Sequence, residues 1–515
     1  MPTSTTYTPD NAKTILRNSL WYGFELLSGF VGAFLVSIVV ARIIGPQRLG
    51  YYSYMMMLTN ITVGLGSFGL PNTTRKYMAE HLNRGQPGLA LSIYHAMLRF
   101  QIGIAAAITA AALLLVFTIG NPAQCLVSVL LVLNIAPRLV GFIPSQANTA
   151  AEMMQRNTIP SVLSGFLNIV ITLFSLWIGW DLPGVAAGLL VASLFDTSVK
   201  LWLVHRILGG TQATPIEPAV RKQLFVYSSQ GVALVALYLL VWDRSDVLFL
   251  KNLNPDDRQV TYFSLPFNLV DRLLFVPNAF AAAVAATLMA QYGRGAEKLR
   301  TLTVEGARYS FLIALPLLAG FACVANRFVV LLWGEPYRPM IPVLIIVTLL
   351  AIPKALMSAP TTLLQTTENQ GFLVIWGCIT GALNVVLDIV LTPRYGAIGA
   401  GVANGTAQTL AVLGLWIRAW RLFNLDLRLK SLATLGFSGA GMAGAALAVN
   451  HFVPGYTGLV LSVLTGALVW FGLLRWTHAL DQADAQRFQK IGHALPGRAR
   501  PLWQAVVALI VPETT

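Results

Sequence analysis

The sequence predicts an all-α integral membrane protein of about 14 transmembrane helices: two pseudo-symmetric six-helix lobes, related as parallel repeats, plus two C-terminal helices around a central cavity. Three observations predict it. The 515 residues are 56% hydrophobic and only 11% charged, with a mean hydropathy of +0.67, whereas soluble domains carry about a quarter charged residues. Apolar windows of roughly 20 residues, each able to cross about 30 Å of hydrocarbon, recur along almost the whole chain. The chain also resembles itself at a fixed offset, as set out below. Helices rather than isolated strands satisfy the backbone in lipid, so helices do the crossing.

The expected spans run in order at 17–44, 51–70, 90–119, 123–147, 158–180 and 184–206, then 224–250, 259–291, 301–333, 340–366, 371–393 and 397–420, then 432–451 and 455–476. This divides the chain into a cytoplasmic segment (1–16), an N-lobe (17–207), a cytoplasmic linker (208–222), a C-lobe (223–423), a final helix pair (430–476) and a cytoplasmic tail (477–515). The opening MPTSTTYTPDNAKTILRNSL has no basic region followed directly by a short apolar core and a small-residue cleavage site, so no removable signal peptide is expected. The tail either forms short interfacial helices or is disordered.

Orientation follows from the cations. With alternate loops assigned to alternate sides, 24 of the 35 Lys and Arg fall on the starting side, among them Arg75, Lys76, Arg221, Lys222, Arg294 and Arg428. Seven fall opposite: Arg42, Arg48, Lys251, Arg258, Arg327, Arg338 and Arg394. The positive-inside rule then puts both termini in the cytoplasm and accounts for most of the net charge of +14 without nucleic acid. The remaining four cations, Arg138, Arg244, Arg272 and Lys354, lie within spans.

Around the fourth span the chain reads LNIAPRLVGFIPSQANTAAEMMQ and around the tenth LLAIPKALMSAPTTLLQTTENQG. Pro137 aligns with Pro353, Arg138 with Lys354, Glu152 with Glu368 and Asn168 with Asn384, all at an offset of 216, and Tyr52 echoes Tyr262 at 210. Six helices make one repeat. Because six is even, both copies insert with the same orientation, an architecture that places a binding site near the midplane.

Charges inside spans are expensive, at roughly 2.5–3.5 kcal/mol each on insertion scales, so each needs water, an anion or a counter-ion. In span one, Glu25 has no base within a turn; it either carries a proton or bonds an arginine on a neighbouring helix. Arg138 in span four and Lys354 in span ten each follow a proline, which bends a helix and lets it line a cavity. They either bind an anion there or pair with an acid. In span six, Asp196 and Lys200 are spaced i, i+4 and pair locally. The seventh span ends LVWDRSDVLFL, where Asp243 and Asp246 share a helix face and Arg244 sits about 160° from Asp246. These charges either snorkel to the outer interface or line the outer part of a hydrated cavity. Asp271 and Arg272 are adjacent in span eight, and Asp388 lies in span eleven. Gly436, Gly439, Gly441 and Gly444 in span thirteen point to close helix packing. Cys125, Cys323 and Cys378 sit in apolar runs without metal spacing and read as packing residues.

Enzyme signatures are absent: no Walker loop, no HExxH, no GxSxG and no Cys/His metal spacing. No cofactor is expected beyond H+ or Na+ as a coupling ion, and the protein is expected not to be an enzyme.

The run VARIIGPQRLGYYSYMMMLTNITVGLGSFGLPNTTRKYMAEHLNRG, closing span one and carrying through span two, resembles the start of the polysaccharide flippase family. That family is the Wzx-like branch of the multidrug/oligosaccharidyl-lipid/polysaccharide (MOP) exporter superfamily. DRSDVLFLKNLNPDDRQVTYFSLPFNL is similar to its seventh and eighth helices. The resemblance covers about residues 15–480. It implies a V-shaped pair of six-helix lobes that carries lipid-linked sugars, usually undecaprenyl diphosphate oligosaccharides, from the cytoplasmic to the outer leaflet by alternating access. Arg42 matches an arginine at the end of the first helix in lipid II flippases, but Pro46 to Leu49 stand where an aspartate follows there, which points away from lipid II.

Residues and resemblance converge on a flippase of the bacterial inner membrane, serving surface or exopolysaccharide biosynthesis, with the bilayer, the lipid-linked oligosaccharide and a polysaccharide polymerase as partners. Arg138, Lys354 and Arg272 are the expected diphosphate ligands, with Arg244 and Arg42 as further cations and Arg75 and Lys76 at the cytoplasmic mouth. Glu25, Asp243, Asp246 and Asp271 are the expected ion-coupling carboxylates. A cation-coupled drug antiporter of the same superfamily is the alternative, and a membrane glycosyltransferase or ligase the second alternative.

Overall fold

The computed structural model describes residues 9–119, 122–208, 210–241, 245–290, 296–426, 428–482, 484–487, 489, 500–501 and 504. Among them all regular structure is helical. The helices in order are α1 (Pro9–Ile44), α2 (Pro46–Gly66), α3 (Leu70–Asn83), α4 (Pro87–Ile119), α5 (Cys125–Leu133), α6 (Ile135–Ala150), α7 (Gln155–Trp177), α8 (Asp181–Leu208) and α9 (Pro218–Val241). They continue as α10 (Ser245–Leu253), α11 (Arg258–Leu273), α12 (Phe275–Ala290), α13 (Ala296–Trp333), α14 (Ile341–Leu350), α15 (Ser358–Thr366), α16 (Gln370–Phe423), α17 (Leu429–Phe452) and α18 (Gly455–Trp476). Among the described residues, ten helical stretches are long and apolar enough to span a membrane, or eleven if the pair α11–α12, bent by 44°, counts as one. Their large apolar side chains are turned outward, as Trp177 (82% exposed) and Phe166 (65%) illustrate. The protein is a multi-pass membrane protein.

The chain divides by contacts into two compact units. The first is Met1–Lys251 with Asp256–Thr261, and the second is Asn252–Pro255 with Tyr262–Thr515. The grouping assigns α9, expected from the repeat to open the C-lobe, to the first unit, where it packs on α2 and α3. Within that unit α7 is sandwiched between α1 and α8, and α6 lies against α3, α4 and α8. In the second unit α13 is the hub, touching α12, α14, α17 and α18. Its Leu315 and Ala319 share a core with Leu435, Met442, Trp470 and Leu474.

Several expected spans are not single helices. The second turns at Phe68 and Gly69, both left-handed (φ 50° and 66°), and continues as the polar α3. The fourth breaks between α5 and α6 at Asn134, because Pro137 has no N–H for the carbonyl of Leu133. The tenth breaks at the equivalent place, where Pro353 has no N–H for the carbonyl of Leu349, which takes the N–H of Ile352 at 3.2 Å instead, and a 3-10 turn (Pro353–Leu356) separates α14 from α15. The eleventh and twelfth run together as the 54-residue α16 but reverse at Gly396, whose φ of 54° and ψ of −131° interrupt the helix.

The repeat at offset 216 extends to atomic detail. α6 and α15 both end on a glutamate in the left-handed region, Glu152 (φ 58°) and Glu368 (φ 61°). In the first, the N–H of Met153 donates to Asn148 O (2.9 Å) and that of Glu152 to Thr149 O (3.0 Å); in the second, Asn369 donates to Leu364 O (2.8 Å) and Glu368 to Gln365 O (3.3 Å). This is one Schellman cap, made twice. Pro144 in α6 and Pro360 in α15 are buried at the same offset.

The glycine expectation for span thirteen holds for two of the four positions. A Cβ on Gly439 would meet Leu315 at 2.7 Å and one on Gly441 would meet Leu473 at 2.5 Å, whereas Gly436 and Gly444 face open space. Of the cysteines, Cys323 is buried, its thiol 3.6 Å from the carbonyl of Ala443; Cys378 is exposed, so it does not pack as expected. The tightest glycine of the Gly396 turn is Gly399, where a Cβ would strike the backbone carbonyl of Leu391. Backbone cannot swing aside as a side chain can. Gly399→Val is therefore expected to cost about 1–3 kcal/mol, read as a lower melting temperature in detergent; an unchanged melting temperature would show that the turn relaxes freely.

Candidate functional site

The structure gives the two repeat-equivalent cations different surroundings. Arg138, on the first turn of α6 after the Asn134 break, is half-buried, and its Nη1 donates to Asn60 Oδ1 of α2 at 2.9 Å. Among the described residues it has no carboxylate partner. A neutral amide orients the guanidinium without cancelling its charge.

Lys354, in the 3-10 turn, does have one. Its Nζ lies 3.1 Å from Asp271 Oδ1 on α11, with the lysine side chain 28% and the aspartate 51% exposed. The ammonium sits 5.7 Å from the ring of Phe267, in a cleft that Asn404 and Gln408 also line. That cleft has about 20 Å³ of free space, room for water and not for a diphosphate. The acid-paired reading, one of the two open for these cations, thus describes Lys354 as the structure holds it.

The other expected residues lie on several helices. Arg272 is half-buried on α11 beside Asp271. Arg42 is exposed on the last turn of α1, where a cation meets the negative end of the helix. Arg75 and Lys76 are exposed on α3, and Lys76 Nζ stacks over Tyr227 of α9 at 4.2 Å. Glu25 is half-buried, and its Oε2 accepts from the hydroxyl of Thr158 on α7 at 3.2 Å, so of its two readings the arginine bond is not the one the structure holds. Asp246 is wholly buried in the first turn of α10, which overturns interfacial snorkelling for that residue; N-terminal amides favour a carboxylate there. Asp243 and Arg244 lie outside the described residues. Asp196 and Lys200 pair as expected, at 2.7 Å, and share Ser161.

The sequence reading passed over a second charged cluster, where the tail meets the N-terminal part of α13. Arg308 Nη2 lies 2.8 Å from Asp484 Oδ2, with 5% and 0% exposure, and donates also to the carbonyl of Ala479 at 2.6 Å. Its Nε donates to Ser431 at 2.8 Å. Glu305 takes Arg428 at 3.1 Å and Arg487, and Tyr309 donates to Asp484. Burial alone would raise the Asp484 carboxyl, but hydrogen bonds from Tyr309, the Asp481 backbone and Arg308, with the charge of Arg308, hold it below the ordinary carboxylate range. Glu305 and Arg308 lie at i, i+3 in the ninth span; that spacing together with DQAD in the tail was the available signal. Residues 484–487 are helical and held against α13, so the disordered alternative does not describe them.

Helices that break at matched prolines and set polar side chains within apolar spans define a polytopic, all-helical membrane protein. The chain belongs to the polysaccharide biosynthesis protein family, whose model matches residues 15–292. It is 21% identical over 479 residues to the succinoglycan biosynthesis transport protein ExoT of Rhizobium meliloti (strain 1021), covering 89% of this chain and 91% of that one. Its fold is similar to that of the lipid II flippase MurJ in an inward closed conformation, with a TM-score of 0.67 at 12% identity over 88% of this chain and 97% of the other. It is also similar to an inward-facing multidrug resistance MATE family transporter of the MOP superfamily, with a TM-score of 0.65 at 14% identity over 76% and 94%.

Proposed function

We propose that this protein is a flippase that moves an undecaprenyl-diphosphate-linked oligosaccharide from the cytoplasmic to the outer leaflet of the bacterial inner membrane by alternating access, with both termini cytoplasmic. The observation that carries the reading is Arg138: a half-buried, mid-membrane guanidinium held by an amide and by no described carboxylate. An uncompensated cation at that depth calls for an anionic cargo. Family membership and the likeness to ExoT support a polysaccharide precursor as that cargo.

Lys354 serves as a second, gated ligand. Asp271 occupies it at rest, and the diphosphate displaces Asp271, so that binding and release are near balance, as a carrier requires. Arg272 and Arg42 provide further positive charge, and Arg75 with Lys76 attracts the headgroup from the cation-rich side. Glu25, Asp246 and Asp271 are the candidates for H+ or Na+ coupling. A polymerase that consumes the flipped product is the expected partner.

The test is reconstitution. Proteoliposomes loaded with a short-chain prenyl-diphosphate oligosaccharide should expose it to a membrane-impermeant glycosidase at a rate well above protein-free liposomes. Equal rates would refute the reading. Dissipating proton and sodium gradients separately should slow the rate in one case; no change in either would remove ion coupling.

A further inference from the structure

We propose that the first unit carries a built site for a resident anionic phospholipid of the cation-rich leaflet, in a cavity of about 800 Å³ lined by α3, α4, α9 and the 210–217 connection. The inference goes beyond transport and does not rest on it.

The depth of the site follows from helix length. α4 has 33 residues, so it is about 50 Å long at 1.5 Å per residue, against about 30 Å of hydrocarbon. Its C-terminal stretch AAALLLVFTI carries no charge and a single hydroxyl, so the excess lies at the N-terminal end, and Arg99, the thirteenth residue, falls at the hydrocarbon boundary. Arg221 stands in the first turn of α9 and reaches the same level from the other wall. Both line the cavity, both are exposed, and neither has a carboxylate partner among the described residues. His95, one turn before Arg99, also lines the cavity.

The remaining lining is apolar in the manner of an acyl-chain contact. Phe68, Phe100 and Phe225 present rings that are 42%, 53% and 70% exposed. Two guanidinium groups at headgroup depth beside three phenyl rings match a phosphodiester carrying fatty chains, and basic pockets between helices on this side take such headgroups. The connection that closes the cavity is fastened down, since the N–H of Thr214 donates to Gly88 O at 3.2 Å, and Gly88 has no side chain to keep it off. The cavity therefore belongs to the fold and does not depend on a passing loop.

The experiment measures phospholipid retained by the purified full chain after detergent washing, by native mass spectrometry, with phosphatidylglycerol and phosphatidylcholine as probes and farnesyl diphosphate as competitor. Wild type should retain phosphatidylglycerol at least tenfold over phosphatidylcholine, and Arg99→Gln with Arg221→Gln should abolish the preference. Should the double variant not fold, Ser229→Glu, which sets a carboxylate in the exposed lining, should lower retention in the same way. Equal retention of both lipids, or an unchanged preference in either folded variant, would overturn the site. Displacement of phosphatidylglycerol by micromolar farnesyl diphosphate would assign the cavity to a diphosphate lipid instead and would overturn it too. Failure here leaves the flippase assay untouched, because that assay reads transport and this one reads bound lipid.

Discussion

Replacing Arg138 and Lys354 together with glutamine is expected to reduce oligosaccharide flipping by at least a hundredfold without lowering membrane abundance. Hydrogen bonds to a charged group contribute about 1.5–3 kcal/mol each, and every 1.4 kcal/mol is tenfold. The two single variants should not be equal. Arg138→Gln removes a cation whose described partner is the Asn60 amide at 2.9 Å, so the whole of its interaction with the headgroup is lost. Lys354 gives up Asp271 when it binds, so the net gain it offers an anion is smaller. Lys354→Gln also leaves the half-exposed Asp271 carboxylate facing any incoming phosphate, which adds repulsion. Asp271→Asn in that background should recover part of the flipping rate. In the wild-type background, the same substitution should tighten substrate binding and slow release, because the lysine no longer has a resident competitor. Initial rates in proteoliposomes, with a binding isotherm for the prenyl diphosphate, check all five. If Arg138→Gln flips at the wild-type rate, the diphosphate is not held there.

The contrast between these two cations marks how far the sequence could be read. The offset of 216 was legible, and it fixed more than it promised: matched prolines, matched helix breaks and the paired glutamate caps at 152 and 368 all follow from it. Apolar length marked most of the spans, since solvation in lipid depends on composition alone. What surrounds Arg138 and Lys354 was not legible, because Asn60 and Asp271 lie on helices 78 and 83 residues away and occupy no equivalent places in the repeat. A repeat fixes backbones; the counter-ions come from substitutions that differ between the copies. The same holds for Glu25, whose lack of a base within its own helix gave no hint that Thr158 would meet it. The 44° bend between α11 and α12, inside the single expected span 259–291, escaped because hydropathy does not register a change of direction, whereas the turn at Gly396 falls in the gap expected between 371–393 and 397–420.

Asp484→Ala is expected to destabilise the second unit by about 3–5 kcal/mol, the usual loss when one partner of a buried ion pair is removed. Asp484 and Arg308 are 0% and 5% exposed, and removing the carboxylate strands Arg308 among Arg428 and Arg487, with Glu305 as the acid that remains among them. Replacing both partners by apolar residues, Arg308→Met with Asp484→Leu, should recover much of the loss, because no buried charge is then left unpaired. The pH dependence has a definite sign. The folded carboxyl is held below its ordinary value of 3.8, so its contribution is fully present above that value and fades as pH falls through the lower folded one. Wild type and Asp484→Ala should therefore differ by the same amount at pH 7 and pH 5, and converge only below about pH 4. Thermal unfolding in detergent across that range measures it. A difference that vanished already near pH 6 would mean that the carboxyl is raised by burial and that Arg308 does not hold it charged. The cluster ties the tail to α13 and to the start of α17, so the same substitution should also open residues 479–487 to limited proteolysis at neutral pH, which a loss confined to the membrane helices would not do.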